Sequence, residues 1–168
     1  MAEYWNAYLA NGQKTEHILE RGKAIPQGLY HLVVECILVH TDGSILFMQR
    51  DGKKASYPHY YEATTGGSAL LGESSETAIL REIAEETGIH LQTDQLIHYH
   101  HFVAHDDQCI FDLFWAKVDS KKDTITLQDG ETSDFVWVAP ADLPNFLETQ
   151  LVIPRQKSYI EQLFLEKE

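Results

Sequence analysis

Three glutamates, Glu82, Glu85 and Glu86, stand at i, i+3 and i+4 in the stretch Arg81-Glu82-Ile83-Ala84-Glu85-Glu86-Thr87-Gly88-Ile89. At about 3.6 residues per turn this spacing puts all three carboxylates on one side of a helix. Like charges so placed repel by a few tenths of a kcal/mol, and only Arg81 is at hand to relieve them. A hard divalent cation, Mg²⁺ or Mn²⁺, would relieve them fully, because such ions take carboxylate oxygens and keep waters and phosphate oxygens as their other ligands. The chemistry this offers is metal-assisted work on a phosphate. The competing reading is a solvated, charged surface helix between glycines.

The helix that must carry the acids is legible from its ends. Ser74 or Ser75 can cap its start, Glu76 suits its positive end, and Gly88 supplies the left-handed residue that commonly closes a helix. Ile79, Leu80 and Ile83 lie away from the acids and provide a face to bury. The spacing predicts a helix over residues 75–87. Before it, Gly66-Gly67 allows a sharp turn and brings a carbonyl near the acids, and residues 68–72 read as a loop.

The stretch from Gly67 to Ile89 resembles the Nudix box, G-x5-E-x7-R-E-U-x-E-E-x-G-U with U aliphatic. Gly67, Glu73, Arg81, Glu82, Ile83, Glu85, Glu86, Gly88 and Ile89 fill every specified position. A chance match is on the order of one in 10⁹ per window, which disfavours the surface-helix reading. The resemblance implies an α/β fold of the Nudix type, an α/β/α sandwich with a mixed sheet, helices on both faces and an N-terminal β-hairpin. It also implies that Glu82, Glu85 and Glu86 are metal ligands, with Glu82 a candidate general base and Glu73 supporting the site. The Gly66 carbonyl would complete the coordination, and Arg81 would fix a carboxylate rotamer. A further acid often comes from outside the box, and Glu131, just before a strand at Phe135, is the candidate.

A looser resemblance covers roughly the first ninety residues: Trp5 with Arg21-Gly22, residues 26–31, Gln49-Arg50, Lys53-Lys54 and Tyr57-Pro58 are similar to the branch related to isopentenyl-diphosphate isomerase. It implies that Arg50 and Lys54, or Lys53 if the loop register differs by one, contact a diphosphate. The isomerase needs a cysteine and a histidine in a C-G-H-P stretch, and this chain has Gly66-Gly67-Ser68-Ala69 there. With no acid or base for carbon, hydrolysis is the expected reaction and isomerisation is not. His31 matches a ligand of the isomerase but lacks its partner, so it is expected to be a packed strand histidine. A member that binds a diphosphate ligand without turning it over is the alternative from another class.

Composition bounds the rest. A chain of 168 residues, 43% hydrophobic and 11% aromatic, has enough apolar material for one domain, taken as residues 1–168 with an extension over 1–28 and the box at 67–89. A formal charge of −13 disfavours nucleic acid and anionic membranes as partners but not a small phosphate ligand. Met1 to Leu9 is too polar for a secretory signal and no apolar run reaches membrane length, so a cytoplasmic protein is expected. Cys36 and Cys109 are expected to be buried free thiols.

The remaining elements follow from periodicity. Tyr4 to Leu9 and Lys14 to Leu19 flank the turn signal Asn11-Gly12 and read as a hairpin, which could join two subunits. Strands are expected at 30–40, 44–50, 61–65, 95–104, 108–118, 124–127 and 135–138, and helices at 140–149 and 154–168. On a strand, His98 and His100 would face one side and His101 the other, a poor ligand set. His105-Asp106-Asp107 reads as a polar turn, Trp137 as structural, and Tyr57, His59, Tyr60 and Tyr61 as a mixture of core residues and rings able to stack on a base.

Overall fold

A computed structural model describes residues 1–166. Its strands are β1 (Tyr4–Tyr8), β2 (Lys14–Glu20), β3 (His31–His40), β4 (Ile45–Arg50), β5 (Tyr61–Glu62), β6 (Thr65–Ser68), β7 (Leu96–Ala104), β8 (Cys109–Val118) and β9 (Thr132–Val138). Its α-helices are α1 (Ser75–Thr87), α2 (Leu143–Thr149) and α3 (Pro154–Ile160). β1 and β2 pair antiparallel as a two-stranded sheet, and the others form a seven-stranded sheet in the order β5-β4-β3-β8-β7, with β6 on β3 and β9 on β4. The chain divides into two compact units, one of Met1–Cys36, Gly66–Ile83 and His90–Trp115, the other of Ile37–Thr65, Ala84–Ile89 and Ala116–Glu168.

In the first unit the hairpin forms where Asn11-Gly12 predicts it, with Gly12 at φ +87°. It carries its own small core: Trp5, Ala7, Leu19 and Leu29 are buried together, with Ile25 packed against them. A two-stranded hairpin alone is only marginally stable, so it needs such anchors. Tyr8 and Tyr30 supply another by exchanging backbone hydrogen bonds of 2.8 and 2.9 Å. β6 runs through both glycines, where the sequence suggested a sharp turn. Gly66 is there because β3 leaves no room: an added Cβ would lie 2.0 Å from the Val34 carbonyl oxygen and 2.8 Å from Glu35 Cα.

In the second unit β4 is flanked by β9, in register from Ile45 opposite Val138 to Gln49 opposite Asp134 with a shift before Arg50 opposite Thr132, and by β5. Phe146 of α2 packs on Phe47 and Tyr61, with ring centroids 4.7 and 5.2 Å apart. The strand expected at 61–65 breaks after Glu62, because the Ala63 and Thr64 amides donate to the buried Gln156 side chain (2.7 and 3.3 Å) instead of to a ladder. Residues 124–127 are not a strand. Their alternation misleads, since the chain makes a short 3-10 turn at Lys122–Thr124 and the Thr126 amide then donates to the Thr87 carbonyl at the end of α1 (2.9 Å). The helix expected at 140–149 begins as a 3-10 turn at Pro140–Asp142 before α2. α3 continues as a π turn at Glu161–Leu165 and the helix ends there, short of the expected Glu168, because Glu166 is extended; the last two residues lie outside those described.

Gly66→Ala is therefore expected to lower unfolding free energy by about 3 kcal/mol or more, because backbone rather than a flexible side chain would have to move. Urea unfolding measures this, and a midpoint unchanged from wild type would contradict the packing described.

Candidate active site

α1 starts where its cap residue allows. The Thr77 amide donates to Ser74 Oγ (3.2 Å), the Ser74 amide donates to Thr77 Oγ1 (2.9 Å), and the first helical hydrogen bond runs from Ala78 to the Ser74 carbonyl (3.0 Å). Reciprocal bonds of this kind satisfy donors that a helix start otherwise leaves open. The helix ends at Gly88, at φ +78°, whose amide donates to the Ala84 carbonyl. Ala78, Ile79 and Ile83 are fully buried, and Glu82, Glu85 and Glu86 follow at the spacing that shares one face. Glu85 is exposed and Glu86 half-buried. The side chain of Glu82 is 14% exposed.

Arg81 organises what surrounds Glu82. Its Nε donates to Glu73 Oε2 (2.8 Å) and its Nη2 to Glu73 Oε1 (2.9 Å), a two-pronged contact. Its Nη1 donates to Glu82 Oε1 (2.8 Å), and Nη2 also reaches the Ser68 carbonyl (3.2 Å). Glu73 Oε1 accepts in addition the Leu70 amide (2.6 Å). Paired guanidinium–carboxylate contacts of this type are strong and geometrically specific. Burial works to raise the Glu73 pKa, yet the hydrogen bonds from Arg81 and Leu70 hold it below the ordinary carboxylate value. The hydrogen bonds that Arg81 donates to Glu73 chiefly push the Arg81 pKa the other way, upward. Across from Glu82 lies Gly67: a Cβ there would sit 2.7 Å from Glu82 Oε1. The missing side chain is what makes space for that carboxylate.

Glu82, Glu85 and Glu86 offer hard oxygen donors from one face of a helix. Among the described residues no three His, Cys, Asp or Glu side chains gather into a ready-made cage. An open carboxylate set suits Mg²⁺ or Mn²⁺, which retain waters and accept substrate oxygens, better than a metal that demands a closed shell of protein ligands. The chemistry of the donor set therefore fits the ion that the spacing implies.

The basic residues singled out in the sequence are already engaged. Arg50 Nη1 donates to Glu62 Oε1 (2.5 Å), Nε to the Ser56 carbonyl (3.0 Å) and Nη2 to Ser56 Oγ (3.3 Å). Lys54 pairs with Glu131, so a residue expected to grip phosphate and one expected to help hold metal are brought together. Lys53 is exposed on the turn closed by Asp51. In the same loop Tyr57 and Tyr60 pack on each other at 5.0 Å, while Tyr61 belongs to the contact with Phe146.

His31 is buried, stacked on Trp5 at 4.2 Å, with Nε2 2.9 Å from Cys109 Sγ and Nδ1 3.4 Å from Ser68 Oγ. It is a packed strand histidine whose pKa burial, reinforced by Arg21, pushes down. Cys36 and Cys109 are buried thiols outside any disulfide. The alternation expected of the histidines does not hold. His98 Nε2 and His101 Nδ1 both reach Asp112 Oδ1, at 3.2 and 2.7 Å, and burial along β7 does not alternate either. Ser75, the first residue of α1, also donates to Asp112. Sequence reasoning passed over Asp112, although a lone acid inside the apolar run of β8 was a signal. His105, in the turn after β7, contacts the Tyr30 hydroxyl (2.8 Å), and Trp137 donates to the Lys122 carbonyl (3.0 Å).

The family model for the NUDIX domain matches residues 29–162, which includes every one of these box residues. The chain belongs to the Nudix family. An uncharacterised Nudix hydrolase of Listeria innocua is 30% identical over 164 residues, covering 96% of this chain and 94% of its own. An isopentenyl-diphosphate Delta-isomerase of Shigella flexneri is 28% identical over 146 residues, covering 77% of this chain and 80% of its own. A crystal structure of a Deinococcus radiodurans protein superposes with a TM-score of 0.73 at 16% identity, over 96% of this chain and 99% of that one. This Nudix chain is thus a hydrolase by family, with the α/β fold, helices and N-terminal hairpin expected of it, and a weaker kinship to the isomerases.

The low pKa of Glu73 has a consequence for stability. The Arg81–Glu73 contact contributes fully above the unfolded glutamate value, about 4.3, and is lost as pH falls through the lower folded value. Urea unfolding between pH 6 and 3 is expected to show wild type losing stability in that window, and Glu73→Gln losing less. Parallel pH profiles would contradict the assignment.

Proposed function

We propose that this Nudix hydrolase cleaves the diphosphate linkage of a nucleoside diphosphate derivative or similar small metabolite in the cytoplasm, by attack of water on phosphorus with Mg²⁺ or Mn²⁺. The observation that carries the reading is Glu82: an acid fixed by Arg81 through Oε1, over a glycine, on the helix face that also presents Glu85 and Glu86. A diphosphate resists nucleophiles because its own charge repels them, and a bound divalent ion supplies the countercharge and lowers the pKa of water. Glu82, Glu85 and Glu86, with the Gly66 carbonyl and Glu131 as further donors, would hold that ion. Glu82, held by Arg81 through Oε1, would accept the proton of the attacking water. Glu73 keeps Arg81 in place and so keeps Glu82 aimed.

Arg50 and Lys54, or Lys53 in place of Lys54, would steer the diphosphate. For Arg50 and Lys54 this requires exchanging Glu62 and Glu131 for phosphate oxygens, a trade of one charge-assisted contact for another. Gly66 and Ser68 stand where the isomerase reaction needs its Cys and His, which supports phosphorus rather than carbon as the reacting centre.

Wild type assayed with Mg²⁺ or Mn²⁺ against nucleotides, sugar nucleotides and prenyl diphosphates is expected to release phosphate-containing products from one class. Glu82→Gln is expected to lower kcat by about 10²–10⁴-fold with the fold intact by circular dichroism. Turnover equal to wild type in Glu82→Gln, or conversion of isopentenyl diphosphate to its isomer, would overturn the reading.

A further inference from the structure

We propose that Asn6, in the N-terminal hairpin, is a positioning residue for the acidic site: its side chain holds the loop from which Glu73 fixes Arg81 and, through Arg81, Glu82. The inference rests on the hydrolase reading for its catalytic consequence, and on geometry alone for the rest. The loop between β6 and α1 hangs from β1 by two bonds. The Leu71 amide donates to the Tyr4 carbonyl (2.9 Å), and the Gly72 amide donates to Asn6 Oδ1 (2.8 Å). Gly72 has φ +87°, and the next residue is Glu73. Glu73 is tied back within the loop, its amide to the Leu70 carbonyl (3.0 Å) and its Oε1 to the Leu70 amide (2.6 Å). Fixing Gly72 therefore fixes the backbone on one side of the carboxylate that Arg81 grips.

β1 is rigid enough to serve as the anchor. Trp5 is stacked on His31, its indole nitrogen donates to Glu3 Oε1 (2.9 Å), and Glu3 Oε2 also accepts from Arg21 (3.1 Å). Tyr8 is bonded to Tyr30 at both its backbone groups. Asn6 sits between these two fixed points, and the register with β2 shifts after it. An extension outside the motif thus reaches the motif's own loop. Groups that orient a site without touching the reacting atoms typically matter by 10–100-fold.

Nuclear magnetic resonance tests this without a substrate. Exchange of the Arg81 Nε hydrogen, which wild type protects in its bond to Glu73, is expected to quicken about tenfold in Asn6→Ala and to return towards wild type in Asn6→Asp, which keeps an acceptor for Gly72. The Trp5 indole hydrogen, in the same hairpin, should be unaffected. The kinetic arm expects kcat to fall about tenfold in Asn6→Ala while KM stays within about twofold, with partial recovery in Asn6→Asp. Arg81 exchange unchanged in Asn6→Ala would overturn the proposal, as would equal loosening of Trp5 and Arg81, the mark of a hairpin that has merely come undone. If wild type turns over no diphosphate, the hydrolase reading fails on its own while the exchange arm still decides the role of Asn6.

Discussion

The guanidinium of Arg81, stretched between Glu73 and Glu82, is the contact around which the acidic site is arranged. A helix face bearing glutamates at i, i+3 and i+4 has every reason to splay its side chains into water. Arg81 prevents this for Glu82 by attaching it to a second carboxylate that is fixed outside the helix. Glu73 is fixed in turn because it accepts from a backbone amide of its own loop. One guanidinium faces two carboxylates, so one negative charge is left over, yet burial costs each carboxylate less than it would alone. Glu85 and Glu86, further along the helix, are the other donors proposed for a divalent cation.

Space is the second constraint, and it is met by removing side chains. Gly66 lets β6 lie against the Val34 carbonyl, and Gly67 leaves room for the Glu82 carboxylate. The motif's glycine thus has a physical reason independent of any resemblance: its neighbour is the Glu82 carboxylate. The two glycines act differently. Backbone forbids a Cβ at Gly66, whereas at Gly67 only a flexible carboxylate stands in the way, so the first guards the fold and the second the site.

Much of this was legible in the residues. α1 has the bounds 75–87 that its cap, apolar face and terminal glycine implied, because these signals are local and agree with one another. Where tertiary contacts decide, local signals failed. Thr124 to Leu127 alternates like a strand, yet its backbone is claimed by the end of α1. The run through Tyr61 to Thr65 is interrupted by a glutamine almost a hundred residues away. His98 and His101 meet at Asp112 against the two-residue period of a strand. The pairing of Lys54 with Glu131 joins two residues nearly eighty positions apart, a contact that no spacing rule contains. Family resemblance supplied roles, but not the route by which Asn6 reaches the box.

The central claim is that the carboxylates of α1 hold a divalent cation. Titration of Mn²⁺ by electron paramagnetic resonance tests it without choosing a substrate, on wild type and on Glu86→Gln, a change outside the contacts of Arg81 with Glu73 and Glu82. The account predicts that wild type takes up Mn²⁺ and that the variant binds it at least about tenfold more weakly with an unchanged melting temperature. Equal Mn²⁺ affinity in the two proteins would contradict it.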